Sequence, residues 1–173
     1  MINFKKIKLV CFDCDGVLTD GMYQVDQDGK VSKNFYTRDF SGIECLLKNN
    51  IDVIIITRSN DGVILKRVHN IVDSNDFWLY KYKHKKLRVF NGIKNKKEYL
   101  RKILLDRGIN WGNVAYMGDS YNDLDSMKEA YISGCPKDAI KEILDESFYI
   151  SDCNGGKGAV YEFCKYLIEK GKK

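Results

Sequence analysis

Three apolar runs in this chain each end on a polar residue. Ile7-Lys8-Leu9-Val10-Cys11-Phe12 stops at Asp13-Cys14-Asp15-Gly16, Asp52-Val53-Ile54-Ile55-Ile56 stops at Thr57, and Asn113-Val114-Ala115-Tyr116-Met117 stops at Gly118-Asp119. Runs this short and this continuously apolar suit central strands of a sheet covered on both faces. Between and after them the apolar spacing turns helical: Gly42 to Asn49 with Ile43, Leu46 and Leu47 on one face, Asp61 to Asn70 behind Asn60 as a cap, and Lys96 to Arg107 closed by Gly108. Strand alternating with helix predicts right-handed crossovers and a parallel α/β sheet of the Rossmann-like, doubly wound kind. Such sheets bind ligands beyond the carboxyl ends of their strands, where these polar residues fall. Tyr131 to Ser133, Asp138 to Leu144, Phe148 to Ile150 and Gly158 to Lys170 continue the alternation, so residues 1–173 are expected to form a single domain.

Two segments break the rhythm. Met22 to Asp26 and Val31 to Tyr36, turned at Asp28-Gly29, predict a β-hairpin inserted directly after the first strand and overhanging its carboxyl end. In Asn70 to Asn91, Phe77-Trp78-Leu79-Tyr80 and Leu87-Arg88-Val89-Phe90 compete to be the third core strand. The second is the better candidate, with Lys81 to Lys86 as a solvated loop.

Charge and composition narrow the classes. Lys and Arg number 29 against 24 acidic residues, a net charge of +5, mild enough for ordinary solvation or for a preference for anionic substrates, and it does not by itself mark a nucleic-acid binder. No apolar run approaches the roughly 18 residues of a membrane span, and Asp13 interrupts the first run before it reaches the length of a secretory signal. A cytoplasmic protein without nucleic-acid or membrane partners is the expectation. The six cysteines are scattered among apolar neighbours, as suits a reducing compartment. Cys11 and Cys14 form a C-x-x-C, but strand positions three apart point to opposite faces, so buried thiols are expected there.

Asp13 and Asp15, two apart with Gly16 behind them, meet a definite chemical need. Phosphoryl transfer through a covalent intermediate takes one carboxylate to attack phosphorus and a second group to protonate the leaving alkoxide and later activate water. Asp13 suits the nucleophile and Asp15 the acid/base; ideal strand alternation puts both on one face. Asp119 and Asp123 offer hard oxygens for magnesium, and Thr57 and Lys96 offer a hydroxyl and a positive charge for the phosphoryl group. Singly each residue has a bland reading, as a turn, a cap or a solvated lysine. Their order along one sheet edge is what points to a phosphatase.

Asp13-Cys14-Asp15-Gly16-Val17-Leu18-Thr19-Asp20-Gly21, Thr57, Lys96 and Gly118-Asp119-Ser120-Tyr121-Asn122-Asp123 resemble the four motifs of the haloacid dehalogenase superfamily of phosphohydrolases. Phe35-x-x-Arg38-Asp39, Asn95-Lys96 and Gly155-Gly156-Lys157-Gly158-Ala159-Val160 are similar to its capless branch, whose members act on 8-phosphorylated octulosonates and 9-phosphorylated nonulosonates. The resemblance covers nearly the whole chain. It implies that Asp13 is phosphorylated, that Asp15 protonates a sugar leaving group, and that Asp13, the main-chain carbonyl of Asp15 and Asp119 hold Mg2+. It further implies phosphate binding by Thr57 and Lys96, with Asp123 in support, and recognition of a sugar-acid carboxylate such as that of 3-deoxy-D-manno-octulosonate 8-phosphate by Arg38, Arg58 and Lys157. A homotetramer in which neighbours close each site is also implied. The chain departs from the branch at Thr57-Arg58-Ser59, where Thr-Gly-Arg or Thr-Gly-Glu is usual, at Phe40, and in a longer stretch before Lys96. These departures bear on which sugar is bound. A relative attached to some CMP-sialic acid synthetases serves assembly without catalysis, but such modules lose catalytic carboxylates that this chain keeps. A response-regulator receiver, the other rival, phosphorylates an Asp on a later strand, where this chain has Thr57.

Overall fold

The computed structural model describes residues 2–172. Six strands form one parallel sheet: β1 (Leu9–Phe12), β4 (Asp52–Ile56), β5 (Leu87–Phe90), β6 (Val114–Met117), β7 (Ile132–Cys135) and β8 (Tyr149–Ile150). Their order is β5-β4-β1-β6-β7-β8, with Phe12 level with Ile55 on one side and Met117 on the other. From β1 the chain first builds outward through β4 and β5, then returns to the other flank of β1 for β6, β7 and β8. The switch in direction therefore falls between β1 and β6, the crevice where such sheets take ligands. Among the described residues no cap domain is inserted.

Strand alternation divides the core in two. Val10, Phe12, Val53, Ile55, Ala115 and Met117 face one layer, made by α1 (Thr37–Lys48), α2 (Val63–Asp73), α3 (Asp76–Lys83) and α7 (Ala159–Lys172). Leu9, Cys11, Ile54, Ile56, Val114 and Tyr116 face the other, made by α4 (Lys96–Asp106), α5 (Tyr121–Glu129) and α6 (Lys141–Glu146). Full burial of each large apolar side chain contributes roughly 1.5–3 kcal/mol, which explains why these runs carry almost no polar residues. Cys11 and Cys14 fall in opposite clusters, and burial pushes both thiols upward, so neither is a ready thiolate.

Leu87 to Phe90 is the third core strand, as expected, and Phe77 to Tyr80 lies in α3, whose Asn75 side chain accepts from the Phe77 N–H as its cap. Other expectations shift. Lys81 to Lys83, expected in a loop, continue α3. The helix expected at Gly42 begins at Thr37, because its first turn packs near the start of α7 and is stabilised there. The helix expected behind Asn60 begins at Val63; Asp61 accepts from the Val63 N–H, and Asn60 instead accepts from Asn91. The hairpin is present but only Gln24–Val25 (β2) pairs with Val31–Ser32 (β3).

Candidate active site

β1 ends at Phe12, so strand alternation does not carry through to Asp15. The Asp13 N–H still donates to Met117 O at 2.9 Å, and the chain then turns sharply: the N–H groups of Val17, Leu18 and Thr19 all converge on the Cys14 carbonyl. The Asp15 carbonyl receives none of those three. Gly16 has φ +84°, and a Cβ there would lie 2.1 Å from Asp119 Oδ2. Only glycine lets the β1 loop approach Asp119 so closely. A second loop presses from above: Gly156 N–H donates to Val17 O at 3.0 Å, and a Cβ on Gly155 would meet Gly16 O at 1.9 Å.

Asp13, Lys96, Asp119 and Asp123 converge at the switch point. Lys96 opens α4 behind an Asn95 side chain that accepts from the Glu98 N–H. Its ammonium is buried, 2.7 Å from Asp13 Oδ1 and 2.8 Å from Asp123 Oδ1. Asp13 Oδ1 also accepts the Cys14 N–H at 2.7 Å. Asp123 is saturated: Oδ1 takes Lys96 and the Tyr116 hydroxyl, at 2.6 Å, and Oδ2 takes the N–H groups of Asp119 and Ser120. Asp119 Oδ1, in contrast, is buried with no partner.

Burial, reinforced by the charge on Asp123, pushes the Asp13 carboxyl well above the usual carboxylate range against the opposing pull of Lys96. Burial and Asp123 likewise push Asp119 up to about 7. For Lys96, burial acts downward, but Asp13 and Asp123 outweigh it and raise the ammonium above its ordinary value. One ammonium cannot neutralise three carboxylates, two buried and one half-buried, whose ligand atoms all lie within 4.8 Å of one another. The orphaned Asp119 oxygen and this excess of negative charge fit a hard divalent cation. Because Asp123 has no lone pair to spare, Asp13 and Asp119 are the side chains able to ligate one directly.

Asp15 sits on the outer side, its side chain 31% exposed. Its Oδ1 accepts from Lys33 at 2.7 Å, and its Oδ2 lies 3.4 Å from the Thr57 hydroxyl. Thr57 is buried at the end of β4, its N–H on Phe90 O and its Oγ1 accepting the Ser59 N–H. Asp13, Asp15, Thr57, Lys96, Asp119 and Asp123 thus gather at one sheet edge.

Arg38, Arg58 and Lys157 are not part of that cluster. Arg58 is exposed beside Thr57. Arg38 and Lys157 come together instead in a cavity of about 400 Å³ lined also by Tyr36, Tyr149, Tyr161 and Tyr166, which includes none of the six residues above. The start of α1, the segment from β8 into α7 and the first three turns of α7 build that cavity, with the guanidinium of Arg38 5.6 Å from the Tyr36 ring.

Sequence reasoning gave no role to Lys33, Asp61, Tyr116 or Asp39. Lys33 reads as an ordinary hairpin lysine, Asp61 as part of a helix start, and Tyr116 as one more core residue of its strand. Asp39 is wholly buried and reaches across to the start of α7, where it accepts the Tyr161 N–H at 3.0 Å. Its place in the Phe35-x-x-Arg38-Asp39 run was the one available signal.

Comparison with known proteins places the chain among relatives of one family. The sequence model of haloacid dehalogenase-like hydrolases matches residues 2–163. The 3-deoxy-D-manno-octulosonate 8-phosphate phosphatase of Salmonella typhi is 32% identical over 168 residues, 97% of this chain and 82% of that protein. Its counterpart from Yersinia pestis is 30% identical over 162 residues, 94% and 80% of the two chains. A crystal structure of the Moraxella catarrhalis phosphatase of the same name, in complex with magnesium ion, phosphate ion and KDO, superposes with TM-score 0.85 at 27% identity, covering 98% of this chain and 90% of that one.

Proposed function

Since this chain belongs to the haloacid dehalogenase-like hydrolases, and is a phosphatase, we propose that it hydrolyses a phosphorylated sugar acid of the 3-deoxy-D-manno-octulosonate 8-phosphate class through a phosphorylated Asp13. The observation that carries the reading is the division of labour between two carboxylates: Asp13 buried against Lys96 and Asp119, Asp15 set outward against Thr57. Asp13 has Oδ1 held by Lys96 and the Cys14 N–H, which fixes the carboxylate and leaves Oδ2 to approach phosphorus. As the new P–O bond forms, the ester P–O bond breaks and the leaving sugar oxygen takes a proton from Asp15. Asp15 then takes a proton from water as that water attacks phosphorus, releasing phosphate and restoring Asp13. Thr57 and the Lys96 ammonium hold phosphoryl oxygens, and Asp123 keeps Lys96 aimed. Asp13, the Asp15 carbonyl and Asp119 would hold Mg2+, which supplies the charge compensation that lets a carboxylate meet a phosphate.

The substrate class rests on relatives that carry the octulosonate 8-phosphate phosphatase name across nearly the whole chain. Arg38, Arg58 and Lys157 supply cations for a sugar-acid carboxylate, Arg58 within the subunit and the other two across an assembly. Met22, Tyr23 and Val25 on the hairpin and Phe148 and Ile150 along β8 are exposed apolar residues that support a homotetramer. The expected compartment is the cytoplasm; among the described residues no helix is long and apolar enough to cross a membrane.

Phosphate release from 3-deoxy-D-manno-octulosonate 8-phosphate, a nonulosonate 9-phosphate, hexose phosphates and an aryl phosphate, with and without magnesium, tests the reading. Metal-dependent turnover abolished by Asp13→Asn, with sugar acids preferred, is expected. Equal rates on hexose phosphates would remove the substrate class, and turnover retained by Asp13→Asn would remove the nucleophile.

A further inference from the structure

One buried lysine helps tie the hairpin to the body of the protein. Lys33 follows β3, and its side chain is 3% exposed although the strands around it are open to solvent. Its ammonium has three N–H donors and meets three acceptors: Asp15 Oδ1 at 2.7 Å, Ser59 Oγ at 3.2 Å and Asp61 Oδ2. Ser59 in turn donates to Asp61 at 2.6 Å. The three acceptors come from the β1 loop and from the turn after β4, so the ammonium is clasped between two elements that both border the reacting position. The neighbouring carboxylates raise its affinity for the proton despite burial, so it is a fixed positive charge.

This arrangement treats the two oxygens of Asp15 differently. Oδ1 carries a short, charge-assisted bond from Lys33, whereas Oδ2 has only the Thr57 hydroxyl at 3.4 Å. Thr57 is also the residue that turns its hydroxyl to a phosphoryl oxygen when substrate is bound, which would leave Oδ2 without that donor. A carboxyl side chain rotates freely about its last bond unless one oxygen is anchored, and a proton is delivered well only from an oxygen already aimed at its acceptor.

We propose that Lys33, braced by Asp61 and Ser59, is a positioning residue that anchors Asp15 Oδ1 so that Oδ2 faces the leaving-group oxygen. The inference rests on the reading of Asp15 as the group that protonates the leaving alkoxide. It gives Ser59, the unusual third residue of the Thr57-Arg58-Ser59 run, a function in that bracing, and it makes the hairpin part of the proton-delivery apparatus.

Leaving-group dependence separates positioning from a merely structural role. An alkyl phosphate needs a proton on its departing oxygen, while 2,4-dinitrophenyl phosphate expels a stable anion that needs none. The experiment compares kcat/KM, which reports the steps up to formation of the phosphoenzyme, for wild type, Lys33→Met, Asp61→Asn and Asp15→Asn on the two esters in magnesium. Lys33→Met is expected to lose about tenfold or more on the alkyl ester, part of the roughly 10²–10⁴-fold that an acid catalyst supplies, and to stay within about threefold on the dinitrophenyl ester. Asp61→Asn leaves Lys33 in place with a weaker brace, and should show the same selectivity at smaller size. A loss equal on both esters, or none on the alkyl ester, overturns the proposal. Selectivity in Asp15→Asn without it in Lys33→Met overturns the proposal alone. Absence of selectivity in Asp15→Asn places the failure in the acid role of Asp15 and takes the proposal with it.

Discussion

Replacing Lys96 by Met removes one buried positive charge and keeps the apolar stem. The ammonium it deletes is within 2.8 Å of both Asp13 and Asp123, with side-chain exposures of 0%, 4% and 0% for Lys96, Asp13 and Asp123. The variant leaves carboxylates facing one another without a counter-charge, a situation that costs about 3–5 kcal/mol when one partner of a buried pair is lost. For a domain of this size 1 kcal/mol corresponds to about 2–4 °C in Tm, so the expected fall is roughly 6–20 °C, read by circular dichroism melting in a chelating buffer. The partner test is Lys96→Met with Asp123→Asn. An Asn nitrogen at the Oδ1 position could donate to the Tyr116 hydroxyl, while its oxygen keeps the Asp119 and Ser120 N–H groups, so the double variant should melt above the single one. Magnesium should narrow the gap between wild type and Lys96→Met, because a cation bound only by the native state stabilises it in proportion to its affinity, and the lysine no longer competes for Asp13. A Tm for Lys96→Met within about 2 °C of wild type, or simple additivity in the double variant, would refute the claim that this ammonium balances the site.

Three other perturbations probe separate parts of the structure. Gly16→Ala forces a Cβ into the Asp119 carboxylate at a φ of +84°; a stability loss of about 1–2 kcal/mol from the backbone should accompany a fall of about tenfold or more in magnesium affinity by calorimetry, and unchanged affinity would contradict the close approach. Tyr116→Phe strips one donor from Asp123 and should cost about 1.5–3 kcal/mol in a urea melt, the range for a hydrogen bond to a charged group. Burial raises Asp39 from an ordinary 3.8 to about 6 against the backbone N–H groups at the start of α7. Its protonated form is thus favoured by folding, so the associated stability is full below about pH 4 and is lost as pH rises through 6, a span of roughly 3 kcal/mol. Asp39→Asn keeps the acceptor oxygen and should flatten that part of the urea-midpoint profile; parallel profiles for the two proteins would show that Asp39 does not titrate there.

Sequence alone was enough for whatever depends on local periodicity and on chemistry clustered at strand ends. Continuous apolar runs have one stable fate in a chain this size, central strands with both faces covered, and so β1, β4 and β6 were legible, as was the ending of each on Asp13, Thr57 or Asp119. The order of those residues implied a shared edge, because parallel strands with right-handed crossovers place all their carboxyl ends together. Helix starts were less secure. Thr37 begins its helix where packing against α7 allows, which no local pattern shows, whereas Val63 begins where Asp61, two residues earlier, accepts its N–H. What tertiary structure decided was the set of partners. Lys33 reaches Asp15 and Ser59 across 18 and 26 residues, Asp39 reaches Tyr161 across 122, and Lys96 reaches Asp123 across 27. Such contacts depend on distances of a few ångströms between elements whose separation in sequence carries no signal. For the same reason Arg38 and Lys157, assigned to a sugar-acid carboxylate by the family resemblance, share a cavity of their own, while an unremarked hairpin lysine lies against Asp15.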